Sequence, residues 1–258
     1  MEQADAVIVI PARYASTRFP GKPLHPLRGA DGVSRSLIEW SWRAATAAAD
    51  GAEVVVATDD DRIAEHVHRF GGQVAMTPLD LRNGTERCAY YAQTLQHPPK
   101  LIVNLQGDAP LIPPHFVSGL IDFALASNSA MATPYVVCDA LMAGRLRDLA
   151  RSGQAGGTCV VEDGAGQALY FSKYPIPFGK DAALKMHVGL YAYTPDALAR
   201  YASLPPSMAE ESEGLEQLRF LDAAIAIDLL EMALPATGLW ELNNPDDVAV
   251  IEAGLANR

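Results

Sequence analysis

Ala6-Val7-Ile8-Val9-Ile10 runs directly into Pro11-Ala12-Arg13-Tyr14-Ala15-Ser16-Thr17-Arg18-Phe19-Pro20-Gly21-Lys22-Pro23-Leu24. The first five residues form a short, continuous, β-branched run, the pattern of a strand buried on both faces in a parallel sheet. The next fourteen gather three cations, two serine or threonine hydroxyls and a glycine directly after that strand. Glu53-Val54-Val55-Val56-Ala57 and Leu101-Ile102-Val103-Asn104-Leu105 repeat the strand pattern. Residues 36–49 place Leu37, Ile38, Trp40 and Ala44 or Ala45 near one helical stripe. Residues 61–70 place Ile63 and Val67 four apart, with Asp60 or Asp61 as N-cap. Alternating strand and helix over the first 120 residues (approximately, by the βα signature) predicts a doubly wound α/β fold. Polar loops then follow the strands at residues 11–23, 58–61 and 106–114, where ligands bind in open α/β sheets.

The rest reads as one domain of 258 residues with an inserted β-rich subregion over about 136–200. Residues 151–157 read as an exposed turn, and 168–172 and 188–193 as strands. Residues 213–232 read as helix then strand, with one long apolar helix as the competing pattern. Pro245 opens a final helix near N1.

Composition narrows the function. Lys+Arg number 20 against 31 Asp+Glu, for a net charge of −11. An acidic chain argues against a sequence-independent nucleic-acid partner, which needs a basic face. It leaves room for a small anion met by a few placed cations. Cys88, Cys138 and Cys159 have no CxxC spacing, which argues against a disulfide framework or zinc site and for a reducing, cytoplasmic setting. Residues 6–10 are too short for a signal core and no apolar stretch reaches spanning length, so the chain reads as soluble, unprocessed and without a membrane partner.

Two loops carry candidate chemistry. The cations, hydroxyls and backbone N–H groups of residues 11–24 suit a polyphosphate. The GxxxxGK[ST] spacing is absent, so this is no Walker A loop. In Gln106-Gly107-Asp108-Ala109-Pro110, a carboxylate at the end of a central strand is placed to hold Mg²⁺ with phosphate oxygens. A solvated basic loop and a turn-capping aspartate are the plainer readings, weakened by the two features lying together. His66 and His68 lie two apart on a helix and so face different ways. Gly164-Ala165-Gly166 reads as a hairpin turn, and no Gly-x-Ser-x-Gly elbow is present.

The opening string from Ile10 to Leu24 resembles that of the CMP-Kdo synthetases (3-deoxy-manno-octulosonate cytidylyltransferases). Further similar blocks follow in family order: Val56-Ala57-Thr58-Asp59, Met76-Thr77, Gly84-Thr85-Glu86-Arg87, Asn104-Leu105-Gln106-Gly107-Asp108, Leu169-Tyr170-Phe171-Ser172, His187-Val188-Gly189-Leu190-Tyr191 and Leu215-Glu216-Gln217-Leu218-Arg219. The resemblance implies a Rossmann-like, GT-A-like nucleotide-diphospho-sugar transferase fold with a mostly parallel central sheet. It implies transfer of CMP from CTP to the anomeric hydroxyl of a 2-keto sugar acid, with Mg²⁺ and a homodimer. Arg13, Lys22 and Asp108 would be catalytic. Pro11, Ala12, Arg13, Ser16, Arg18, Lys22, Asn83, Gly84, Arg87 and Gln106 would bind nucleotide. His187, Tyr191, Glu216 and Gln217 would bind the acceptor, although His187 reads equally as a structural strand histidine.

The chain departs from the family at four places, one of them Ala109 after Asp108, where a glutamate is common. Asn83 replaces the serine of a Ser-Gly-Thr-Glu-Arg block. An Asn-Pro-Asn-x-Val-Lys segment is replaced by Gln154-Ala155-Gly156-Gly157-Thr158-Cys159, so the acceptor could be Kdo or a different 2-keto sugar acid. The family's second metal-binding aspartate falls on Asn243, with three extra residues between Gly238 and Pro245, so Asp108 and Asn243 are the metal positions, with Glu241 as the alternative. An uncharged amide there also admits a catalytically weak nucleotide-binding relative.

Overall fold

Residues 4–15, 19–179, 182–235 and 238–257 are described by the structure, a computed structural model. The opening apolar run is strand β1 (Ala6–Ala12). Ile8 and Ile10 belong to one buried cluster, while Val7 and Val9 belong to a second on the opposite face. Alternation of side chains along a strand thus loads both faces. After a short 3-10 turn (Lys22–Leu24) come a small ribbon of β2 (Pro26–Arg28) and β3 (Ser34–Ser36), then α1 (Leu37–Ala48). Strand β4 (Glu53–Thr58), α2 (Asp61–Arg69), β5 (Gln73–Met76), α3 (Gly84–Thr94) and β6 (Leu101–Leu105) complete the first half. Ser36 caps α1 and Asp60 caps α2, each accepting a backbone N–H of the first turn.

The second half begins with α4 (Pro114–Ser127), β7 (Met131–Val137) and α5 (Ala140–Arg151). A hairpin of β8 (Cys159–Glu162) and β9 (Ala168–Ser172) turns at residues 163–167, as the glycines there predict. Then come β10 (Lys185–His187), β11 (Leu190–Tyr193), α6 (Pro195–Ala202), α7 (Met208–Glu213), α8 (Leu218–Asp222), β12 (Asp228–Met232) and α9 (Val248–Leu255).

The sheet order is β5-β4-β1-β6-β11-β7-β10-β8-β9, with β12 beside β7. Strands β5, β4, β1 and β6 run parallel, and β12 runs parallel to β7. Strands β8 to β11 pair antiparallel, forming the β-rich subregion. Helices α1 and α4 pack on one face through Ile38, Ala45, Phe116 and Leu120, and α3 and α6 on the other through Cys88 and Leu198.

The region 213–232 is helix then strand as expected, α8 followed by β12, with α7 ended just before it by Gly214 at φ +62°. The structure differs from the sequence expectations in one place. Within the stretch read as β-rich, Asp139 caps an unexpected helix, α5, whose buried side rests on little more than Ala143 and Leu146. Residues 152–157 after it are largely exposed, as the turn reading requires.

Candidate active site

The parallel strands deliver their loops to one end of the sheet, where the first loop meets the loop after β6. Lys22 Nζ donates to Asp108 Oδ2 at 2.6 Å, joining residues 86 apart in sequence. Gly107 permits the approach, since a Cβ there would lie 2.6 Å from the Pro11 carbonyl oxygen. The first loop folds back on itself: Gly21 N–H donates to the Tyr14 carbonyl at 3.1 Å, with Gly21 at φ +70°. The Arg62 guanidinium lies 3.4 Å from the centroid of the Tyr14 ring, holding the loop against α2. Pro11 is half-buried, Ala12 buried and Arg13 exposed. Ser16 and Arg18 lie outside the described residues.

A second group gathers around the N-terminus of α3. Thr85 N–H donates to Glu216 Oε2 at 3.0 Å, and Gln106 Nε2 approaches Glu216 Oε1 at 3.5 Å. Burial raises the Glu216 carboxyl above its usual range, against the opposing pull of its hydrogen bonds from Thr85. Gly84 sits where a Cβ would approach Asn104 Nδ2 at 3.2 Å and Gln106 Nε2 at 3.4 Å. Tyr191 donates to Gln217 Oε1 at 3.5 Å and lies 5.2 Å, ring to ring, from His187. Burial lifts the Tyr191 phenol well above its ordinary value, helped by the charges of Glu216, Glu241 and Asp108. His187, Tyr191, Glu216 and Gln217 thus form one continuous patch.

His187 itself is buried and tied down. Thr133 donates its hydroxyl proton to the Leu190 carbonyl at 2.7 Å, which leaves Oγ1 to accept from His187 Nε2 at 2.8 Å. Burial lowers its pKa from 6.5 to about 3, so it is neutral at physiological pH. A lowered histidine pKa means that the unfolded chain binds the extra proton first, so stability falls as pH drops from 6.5 toward 3. His187→Gln should flatten that slope in urea midpoints measured between pH 7 and pH 5; an unchanged slope would remove His187 as its source.

Several polar residues of the motif blocks are engaged inside the protein. Asn83 caps α3: its Oδ1 accepts from Glu86 N–H at 2.8 Å, and its Nδ2 donates to the Tyr201 hydroxyl at 2.9 Å. Serine and asparagine are both strong N-caps, which explains the replacement seen here. Arg87 is buried, donating to Asp59 Oδ2 at 2.6 Å and to the Thr77 hydroxyl, so it ties the ends of β4 and β5 to α3. Three separate sequence blocks meet in that one contact. Arg219 is likewise buried between Glu210 and Glu86. Its NH2 donates to Glu210 Oε1 at 2.5 Å, and its guanidinium stacks 4.0 Å from the Tyr201 ring centroid.

The C-terminal stretch reaches the Asp108 loop. Leu242 N–H donates to the Asp108 carbonyl at 2.9 Å. The Glu241 carboxylate lies against Gly189, where a Cβ would come within 2.8 Å of Oε1, and Asn243 Nδ2 approaches Glu241 Oε2 at 3.5 Å. Among the described residues no group of three or more His, Cys, Asp or Glu forms a ready-made metal cage. Magnesium needs no such cage, because one or two carboxylates with phosphate oxygens and water suffice. Asp108, Glu241 and Asn243 supply the hard oxygen donors that such a cation takes.

Asn104, fully buried on β6, is a polar residue to which the sequence motifs assign no role. Its Nδ2, like Gln217 Nε2, is a buried donor with no hydrogen-bond partner among the described residues. The signal was an amide inside the otherwise apolar run of β6. Among the described residues, no helix is long and apolar enough to cross a membrane.

A family model described as Cytidylyltransferase matches residues 7–227. A 3-deoxy-manno-octulosonate cytidylyltransferase of Maricaulis maris is 41% identical over 253 residues, covering 96% of each chain. An 8-amino-3,8-dideoxy-manno-octulosonate cytidylyltransferase of Shewanella halifaxensis is 36% identical over 258 residues, covering 98% of this chain and 99% of its own. The solved structure of CMP:2-keto-3-deoxy-manno-octonic acid synthetase complexed with CTP matches with a TM-score of 0.85 and 35% identity, covering 98% of this chain and 99% of its own.

Proposed function

Since this chain belongs to the cytidylyltransferase family, we propose that it transfers CMP from CTP to the anomeric hydroxyl of Kdo, releasing pyrophosphate. Its fold is that of the GT-A-like nucleotide-diphospho-sugar transferases. The observation that carries the reading is the meeting of Lys22 with Asp108 at the strand ends, a cation and a carboxylate on two loops suited to a polyphosphate. The acceptor oxygen bonds to the α-phosphorus, the bond to the β-phosphate oxygen breaks, and the hydroxyl proton is lost. The protein's part is positioning and charge neutralisation.

Arg13 and Lys22 meet the phosphates, with Ser16 and Arg18 on the same loop. Pro11, Ala12, Gly84 and Gln106 line the nucleotide, while Asn83 and Arg87 hold the α3 entrance in shape. His187, Tyr191, Glu216 and Gln217 receive the sugar acid, the neutral His187 serving as a hydrogen-bonding wall. Asp108, with Glu241 or Asn243, would hold Mg²⁺, which when bound neutralises charge on the phosphate oxygens. The antiparallel region over about 136–200 serves the acceptor and a homodimer contact, supported by the exposed Leu169, Tyr174 and Phe178. A cytoplasmic setting suits the free cysteines.

Incubation with CTP, Mg²⁺ and Kdo should release pyrophosphate and form CMP-Kdo; no release with Kdo sinks the substrate assignment. The altered segment 154–159 and the Shewanella relative favour one second reading, a different 2-keto sugar acid, so the 8-amino analogue belongs in the same assay. A chain inactive with every acceptor and indifferent to Mg²⁺ would instead be a nucleotide-binding relative, the reading that Asn243 motivates.

A further inference from the structure

Trp240 lies within the stretch 238–245, which carries three more residues than the family pattern. Arg145, on the exposed side of α5, places its guanidinium carbon 4.2 Å from the centroid of the Trp240 ring. Trp240 also packs against the buried cluster of Leu27, Leu37, Leu111 and Leu242. Before it, Gly238 turns the chain at φ +71°, and a Cβ there would meet Trp240 Nε1 at 3.3 Å. After it, Leu242 is fully buried with its N–H on the Asp108 carbonyl, and the N–H groups of Asn243 and Asn244 donate to Asp247 Oδ2 at 2.9 and 2.7 Å. Both neighbours of Glu241 are therefore fixed, one by the ring stack and one by burial. The side chain between them is left to project against Gly189, beside the Asp108 loop.

We propose that Trp240 is a positioning residue: clamped beneath Arg145, it straps residues 238–244 between α5 and the hydrophobic cluster and so delivers the Glu241 carboxylate to the reacting end of the pocket. The strap also joins α5 to the loop that bears Asp108. A cation over an indole is a directional contact, stronger than the same contact with Phe and lost with Ala. The inference rests on the proposed transferase reading for its effect on turnover, but the strap itself is testable without it.

Hydrogen exchange at the Leu242 amide reports the strap directly. Arg145→Ala should raise that exchange about threefold and lower kcat by a similar factor, with KM for CTP nearly unchanged, as loss of one exposed cation–π contact implies. Arg145→Lys and Trp240→Phe should each recover most of the loss. Trp240→Ala and Glu241→Gln should each lower kcat roughly tenfold or more, and the double variant should fall no further, because the two act as one unit. Should Trp240→Ala fail to fold, the surface change Arg145→Ala carries the test. Wild-type exchange at Leu242 in Arg145→Ala overturns the strap, and so does a full multiplication of the Trp240→Ala and Glu241→Gln effects. If wild-type protein does not turn over Kdo, the substrate assignment falls, while the exchange measurement still decides the strap.

Discussion

Lys22→Ala should lower the rate of pyrophosphate release on the order of 10²–10³-fold, the loss typical when one preorganised charge-stabilising donor is removed. The cation stands 2.6 Å from Asp108 on the shared rim of two loops. Charge develops on the departing pyrophosphate, and a fixed ammonium there needs little reorganisation to meet it. Asp108→Ala should be at least as damaging, because it removes the carboxylate at the end of β6 that the cation faces. Folding should barely notice either change. The two side chains are 14% and 23% exposed and sit on loops, so the pair contributes about 0–1 kcal/mol. Pyrophosphate release with saturating CTP and Kdo, together with urea midpoints, separates the two effects. Near-normal turnover in Lys22→Ala would take Lys22 out of the mechanism, and a large drop in midpoint would make its role structural.

Arg219→Met should have the opposite signature, a loss of about 3–5 kcal/mol in folding stability. Arg219 is buried and is met by Glu210 and Glu86 on two helices, α7 and α3. Removing it leaves Glu210 buried beside Glu86 with the compensating charge gone. Domain stabilities are about 5–15 kcal/mol in total, so the variant should melt far below the parent. Arg219→Met combined with Glu210→Gln should recover much of the loss, since most of the penalty is the stranded carboxylate rather than the missing contact. Calorimetry or urea titration checks both, and a single variant as stable as the parent would show that the pair contributes little.

The strands β1, β4 and β6 were readable because β-branched runs buried on both faces have few other places to go. The apolar stripe within residues 36–49 announced α1, and the cap Asp60 announced α2. Helix α5 was hidden because its buried side offers so few apolar residues, and α3 because it opens on glycine. The spacing Asn83-x-x-Glu86 was its available signature. In the site, charge type was legible but partnership was not. That Lys22 meets Asp108 depends on the register of β1 with β6, not on any local spacing. Arg87 and Asn83 look in sequence like ligand-binding side chains, yet each is held by the protein's own groups: Arg87 by Asp59, Asn83 by Glu86 N–H and Tyr201. Glu241 against Gly189 could not be inferred from a stretch whose length departs from its relatives.

The pinning of Leu242 to the Asp108 carbonyl sets a timetable for synthesis. Strands β1, β4, β5 and β6 pair within the first 105 residues, so the half that carries the first loop can assemble while translation continues. The Glu241 segment and α9, whose Ile251 and Leu255 close the cluster around Leu27 and Leu111, are made well after those strands. A nascent chain halted before residue 238 carries the Asp108 loop without the carboxylate that faces it from the C-terminal side. By the proposed reading, then, the order in which these segments are made gives the site its C-terminal carboxylate only after the parallel strands have paired.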